Sequence, residues 1–287
     1  MKRFNSYYDI VKQYFAKKAA KYDLVDEQLY WCLSDELLKK IIKEKIVKVF
    51  SSYKQLNILD AGAGTGRWSL ILYDFLKEKN IKLHFDLVDI TPEMLDEANK
   101  KIKMFGLNKI MKTHLKNIEN LADYEDNFYD ISISFYNVLS FVEKPKVVLN
   151  EVFKKLKGGG MHASIVANKY HSYFFSILTN RITELEKIKN RSKVRFTIEM
   201  PYIHCFTPEG IKRLYEQIGF KEVEVVGFPN FIYPHMEDTK IKGQSKKSES
   251  ILKNKKVFNK IVEIEFQECF NKDIAGRGNT LLVIGKK

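Results

Sequence analysis

Asn57-Ile58-Leu59-Asp60-Ala61-Gly62-Ala63-Gly64-Thr65-Gly66-Arg67 runs a short apolar strand straight into a glycine-rich turn. A second phrase, Leu87-Val88-Asp89-Ile90-Thr91-Pro92-Glu93-Met94-Leu95, ends another strand on a carboxylate and opens a helix with proline in its first turn. Glycines at 62, 64 and 66 permit a tight turn and a close backbone approach to a ligand. If the two strands are neighbours in a parallel sheet, the turn and Asp89 share one crevice at the strand tips, where a nucleotide-like ligand fits.

Outward from this pair, strands and helices alternate. The pattern predicts strands at 57–61, 83–89, 110–115, 129–135 and 161–166, with helices at about 65–79, 92–104 and 144–156. Gly158, Gly159 and Gly160 read as a break before the fifth strand. Thr207-Pro208-Glu209 caps a helix ending at Gly219, a sixth strand covers 220–226, a helix covers 257–270, and an antiparallel last strand covers 280–284. Residues 1–50 read as two helices, with Ser34 as an imperfect capping box and Asp35 and Glu36 in the first turn of the second. The rhythm predicts an α/β fold: a doubly wound, mostly parallel seven-stranded sheet with N-terminal helices and an inserted lid.

The 287 residues contain no run of eighteen apolar residues, and the amino terminus lacks an apolar signal core. No membrane partner is expected. Cys32, Cys205 and Cys269 are scattered, which fits free thiols in a reducing cytoplasm rather than a disulfide scaffold or a zinc cluster. Forty-nine basic against 36 acidic residues give a net charge of +13, a field that attracts anions. The lysines are dispersed among glutamates without a nucleic-acid recognition module, so charge alone does not make RNA the first choice of partner.

Asp60-x-Gly62-x-Gly64-x-Gly66, with Asp89, resembles the motifs of the class I S-adenosylmethionine-dependent methyltransferases. A dinucleotide fingerprint would want glycine where Arg67 stands. The resemblance implies S-adenosyl-L-methionine as cofactor and S-adenosyl-L-homocysteine as product. By the same resemblance the backbone of Ala61, Gly62 and Gly64 meets the methionine part, Asp60 lies beneath its ammonium, and Asp89 accepts both ribose hydroxyls. Ile90 and Met94 would flank the adenine, and Asn117 and Ile118 would border it, with asparagine where the family usually has aspartate. Phe135 would stand at the rim of strand four. Tyr14 to Asp23 resembles a helix placed over the cofactor, with Tyr22 near its carboxylate.

For the acceptor, Phe135-Tyr136-Asn137-Val138-Leu139-Ser140-Phe141 occupies the rim facing the sulfonium. Many relatives carry a histidine late in this stretch, where Phe141 or Ser140 stands here. The candidate catalytic residues are therefore His204, His171 and Asn137, with His235 a further histidine. No metal is implied. The expected division is 1–50 as a helical cap, 51–167 as the cofactor-binding core, 168–206 as a lid or substrate region, and 207–287 as the rest of the core with a basic loop at 239–256. The expected activity is methyl transfer to an oxygen or nitrogen of a small aromatic or apolar metabolite, by direct in-line displacement. An RNA or protein acceptor, reached through the basic stretches 181–195 and 240–256, is the alternative. A non-enzymatic binder that keeps the fold is the third reading. The oligomeric state stays open.

Overall fold

Strand β1 (Gln55–Ala61) lies in the interior of the sheet, with both its faces apolar. Ile58 points to one layer and Leu59 to the other, the period-two alternation of a strand buried on both sides. The computed structural model describes residues 6–232 and 247–287. β1 pairs in parallel with β2 (Lys82–Asp89) and β4 (Tyr129–Ser134). β3 (Met111–Leu115) flanks β2, and β5 (Leu156–Asn168) flanks β4, all parallel. β6 (Lys193–Val194) and β7 (Ile203–Phe206) form a small hairpin joined to the end of β5. β8 (Lys221–Phe228) and β9 (Thr280–Lys286) complete the sheet, β9 being antiparallel to both β5 and β8. The core order is thus β3-β2-β1-β4-β5-β9-β8, a mostly parallel seven-stranded sheet.

One layer packs α4 (Arg67–Lys77) and α5 (Pro92–Met104) on the sheet, together with α2 (Leu29–Ile42). α2 continues through a π turn at Lys43–Val47 into the short α3 (Lys48–Phe50). The other layer holds α7 (Pro145–Lys155) and α10 (Pro208–Ile218) against Leu59, Val88 and Val283. α1 (Tyr7–Ala16), a 3-10 segment at Ala19–Glu27 and the one-turn α6 (Val138–Phe141) gather at the strand tips. α8 (Lys169–Leu178) and α9 (Ile182–Arg191) follow β5. α11 (Lys247–Leu252) and α12 (Lys255–Glu268) precede β9.

Several local expectations are corrected. The three glycines do not precede β5 but lie inside it. They form a bulge between the Tyr129–Leu156 and Ile131–Met161 pairs, with Gly159 at φ 82° and its N–H donating to the Lys287 carbonyl. Ser34 caps nothing, since α2 already begins at Leu29 and Ser34 is buried within it. The capping box of this region is Ser6 with Asp9 on α1. Part of the expected loop 239–256 is helical. α11 forms there because Leu252 packs into a cluster with Tyr30, Leu33 and Val262. The remainder of that loop from 239 to 246, and His235, lie outside the described residues.

Asp35 is the largest departure. It is 2% exposed and pairs with Arg67 at the start of α4, and the Tyr136 hydroxyl donates to its other oxygen. It ties the N-terminal helix to the glycine turn and to the tip of β4. Removing one member of a buried ion pair leaves the other charge uncompensated, at a cost of about 3–5 kcal/mol. Asp35→Ala is expected to lower the unfolding free energy by that order in urea titration. Glu44→Ala, which breaks the exposed Lys48–Glu44 pair, is expected to change it by only ~0.5 kcal/mol.

Candidate active site

The turn after β1 takes its shape from left-handed backbone at Gly62 (φ 94°), Gly64 (φ 53°) and Gly66 (φ 71°). A side chain at Gly62 would collide with Val138 at the tip beyond β4. A side chain at Gly66 would press on Leu87 at 3.0 Å, so this glycine lets α4 sit close to β2. Gly64 faces open space, the mark of backbone presented to a cavity.

Neighbouring β2 holds this turn in place. The N–H groups of Gly62 and Ala63 both donate to the Val88 carbonyl, at 2.8 and 3.0 Å. The Asp89 carboxylate accepts from the Gly64 N–H on one oxygen and from the Thr91 N–H on the other, each at 2.8 Å. Two carboxylate oxygens offer about four lone-pair sites, so acceptor capacity is left over at the cleft wall. Burial raises the Asp89 carboxyl above its ordinary range, partly offset by these backbone donors.

Asp60, 3% exposed, accepts from the Ser69 hydroxyl at 2.7 Å. Burial pushes its carboxyl up from 3.8 to about 7, against the lowering effect of Ser69, with nearby Asp89 adding to the rise. It stands behind the glycine turn as a carboxylate without a cationic partner among the described contacts.

The turn opens on a cleft of about 590 Å3, within the range of roughly 300–1,000 Å3 usual for small-molecule sites. Tyr22, Asp60, Gly62, Gly64, Asp89, Ile90, Met94, Asn117, Ile118 and Phe135 all line it, and so does Asn137. Ala61 does not. It is the buried last residue of β1, and its carbonyl accepts from the Ser134 hydroxyl. His171 and His204 are not brought to the cleft either. His171 is buried against Asn279, and burial holds its imidazole down at about 4. His204 lies on β7 with its Nε2 3.2 Å from the Glu143 carbonyl, and burial, aided by Lys193, lowers its pKa.

Residues far away in the chain close the cleft. Val11, Tyr14 and Phe15 of α1 pack on Phe141, with the Phe15 and Phe141 rings 4.9 Å apart. Met200, from beyond β6, joins the same cluster and the same cleft. Trp31 and Trp68 form another part of the wall. Tyr8 donates to Glu119 and accepts from the Glu143 N–H, and the Thr65 hydroxyl donates to Asp23 at 2.7 Å. Trp31, Thr65 and Trp68 escaped the sequence reading, because nothing local separates them from core or turn residues. Tyr136 and Asn137 are both left-handed, at φ 56° and 67°, and only the folded rim reveals that.

A family model described as a methyltransferase domain matches residues 52–219, more than half of the chain. The chain belongs to the class I S-adenosylmethionine-dependent methyltransferases. It is similar to the ubiquinone/menaquinone biosynthesis C-methyltransferase UbiE of Rickettsia bellii, at 23% identity over 76% of this chain and 88% of that protein. It is also similar to the demethylmenaquinone methyltransferase of Protochlamydia amoebophila, at 25% identity over 72% and 84%. Among solved structures, a possible histamine N-methyltransferase from Thermotoga maritima shares the fold, with a TM-score of 0.55, 18% identity and coverage of 96% and 99%. A methyltransferase from Archaeoglobus fulgidus does so at 0.53, 20%, 93% and 100%. The enzyme's cofactor is S-adenosyl-L-methionine, and the residues fit it: an open glycine backbone, a carboxylate with spare acceptor sites, and apolar walls at Ile90, Met94 and Ile118.

The raised Asp60 carboxyl has a consequence for the ligand-free enzyme. A folded pKa of about 7 against 3.8 contributes stability that is fully present below pH 3.8 and is lost progressively as pH rises to about 7. Asp60→Asn keeps an acceptor for Ser69 and removes the buried charge. Thermal melts should show the variant more stable than wild type near pH ~8, with the gap closing toward pH ~4. An equal gap at both pH values would contradict the buried-charge account.

Proposed function

We propose that the methyltransferase acts on an oxygen or nitrogen of a small aromatic or apolar metabolite, by direct in-line displacement and without a metal. The observation that carries this reading is the aromatic wall under α1, where Tyr14, Phe15, Trp31, Trp68 and Phe141 border the same partly open cleft as the glycine turn, with Lys17, Lys18 and Lys21 also on its lining. Such a wall stacks on a flat molecule and aligns it, which is most of what a displacement needs from its protein.

In this reading Asp89 accepts the ribose hydroxyls, the Gly62–Gly64 backbone and Tyr22 border the methionine part, and Asp60 balances its ammonium. Ile90, Met94, Asn117 and Ile118 enclose the adenine, and Phe135 closes the floor. Bound S-adenosylmethionine supplies an electrophilic methyl on a sulfonium. Residues 168–206 act as a lid through Met200, and residues 1–50 as a cap. Asn137 positions the acceptor by hydrogen bonding. It cannot take up a proton near neutrality, and burial raises the Tyr8 and Tyr22 hydroxyls away from that range. The acceptor therefore arrives in its nucleophilic form. Among the described residues no group of three His, Cys, Asp or Glu could hold a metal ion.

The relatives named for quinone biosynthesis are C-methyltransferases, so a ring carbon competes with oxygen or nitrogen as the methylated atom. An RNA or protein acceptor is the second reading, favoured by the basic run from 181 to 195. Methyl-labelled cofactor offered with phenols, aromatic amines, quinols, and RNA or peptide extracts separates these readings, with NMR of the product locating the methyl group. Label appearing only in RNA or protein would refute the small-molecule reading.

Calorimetric titration with S-adenosylhomocysteine tests the cofactor roles. Asp89→Ala is expected to weaken binding roughly ten- to hundredfold, the scale of lost hydrogen bonds to a charged group. Wild-type affinity should fall as pH drops through about 7, where Asp60 gains its proton, and Asp60→Asn should bind weakly without that pH dependence. Unchanged affinity in both variants would remove these two carboxylates from the site.

A further inference from the structure

Helix α8 is built the wrong way round for a helix facing water. Its inward side carries His171, Ser172 and Ser176, all buried, beside half-buried Tyr173 and Phe175. Its outward face carries Tyr170, Phe174, Ile177 and Leu178, each between 46% and 61% exposed. Positions 170, 174, 177 and 178 fall on one helical stripe. Ile182, at the start of α9, and Ile198 are exposed as well, the latter at 81%. The Arg181 guanidinium donates to the Phe196 carbonyl, and Phe175 packs edge-on to Phe196, so the segment around 196 lies against the α8–α9 corner. Of the polar inward residues, His171 meets Asn279 at 3.0 Å, Ser172 donates to the Asn168 carbonyl one turn back in its own helix, and the Ser176 hydroxyl is buried without a hydrogen-bond partner.

We propose that this convex apolar ridge docks the enzyme on an anionic lipid bilayer surface. The charge around it selects the occupant. Arg181, Lys187, Lys189, Arg191, Lys193 and Arg195 follow α8 directly, against Glu184 and Glu186. Glu184 is buried and accepts from Arg195 and Tyr202, Arg181 and Lys187 donate to the Phe196 carbonyl and the Tyr202 hydroxyl, and Lys189 and Arg191 are exposed against exposed Glu186. An amphipathic helix with aromatic and branched side chains on one face and cations beside it is the chemistry that settles in the interface of an anionic leaflet. A second copy of the chain would bring the same cations against each other. A peptide partner would need a groove to receive a convex ridge, whereas lipid yields around it. Among the described residues no helix is long and apolar enough to cross a membrane, so the enzyme lies on the surface. The proposal goes beyond the sequence, from which no membrane partner is expected. It also places the outer side of the 168–206 region, whose Met200 lines the cleft, against the layer where apolar molecules dissolve.

Co-sedimentation of the full chain with vesicles tests the proposal, using phosphatidylcholine alone and phosphatidylcholine mixed with phosphatidylglycerol. The chain is expected to pellet with the mixed vesicles, less so at high salt, and poorly with phosphatidylcholine alone. Phe174→Ser combined with Ile177→Ser should weaken vesicle binding by about tenfold or more. Lys189→Glu combined with Arg191→Glu should weaken it also and flatten its salt dependence. Titration with S-adenosylhomocysteine checks that each variant is folded, and it reports the cofactor site independently of the ridge. No pelleting with anionic vesicles, or wild-type pelleting by the serine variant, overturns the proposal. So does a wild-type dimer in light scattering that the serine variant dissolves, since the ridge would then belong to a second copy.

Discussion

Everything at the cleft depends on how the tip of β1 is held by the tip of β2. The Val88 carbonyl takes two N–H groups from the glycine turn, and the Asp89 carboxylate takes a third. The left-handed turn has no hydrogen-bond ladder of its own, so the next strand must satisfy its donors. The same arrangement points Asp89 into the cleft with acceptor capacity left over. One carboxylate thus both secures the turn and faces the cleft, and Asp60 behind it is buried without a cationic partner among the described contacts.

The second constraint is closure from the amino-terminal side. α1 is pinned by Tyr8 to Glu119 and Glu143, and by Tyr7 to the Tyr202 carbonyl. The 3-10 segment is pinned by Asp23, which takes the Thr65 hydroxyl and pairs with Lys101 on α5. α2 is pinned by Asp35 to Arg67 and Tyr136. These bonds join different parts of the first fifty residues to the turn after β1, the segments beyond β3 and β4, helix α5 and the residue before β7. The cleft is therefore walled by residues that have no sequence proximity to the glycine turn, and its aromatic side is contributed largely by this cap.

The inserted region after β5 serves two surfaces. Its inner side, through Ile188, Val194, Met200 and Ile203, packs with Val11 and Phe141 and steadies the cap. Its outer side is the apolar stripe of α8. Polar burial beneath that helix and apolar exposure above it both run against the usual partition of side chains. An arrangement that costs stability in water is accounted for when the outer surface has a partner.

The cofactor motif, the alternation of strands and helices, and the antiparallel last strand were legible in the sequence because each rests on local rules: glycines for left-handed backbone, apolar period for burial, Thr207 and Gly219 as helix ends. Those rules placed Asp60, Gly62, Gly64 and Asp89 at adjoining tips before any coordinates. They were weakest where local cues mimic one another, as with Ser34, whose capping pattern lies inside a helix, and with three glycines that make a bulge rather than a break. Only the tertiary structure decided that His171 and His204 stand outside the cleft, that Asp35 sits between Arg67 and Tyr136, and that Trp31 and Trp68 form its wall. The reason is physical. Backbone conformation is chosen by near neighbours along the chain, whereas the partners of a buried charge or aromatic ring are chosen by which distant surfaces must cover one another to exclude water.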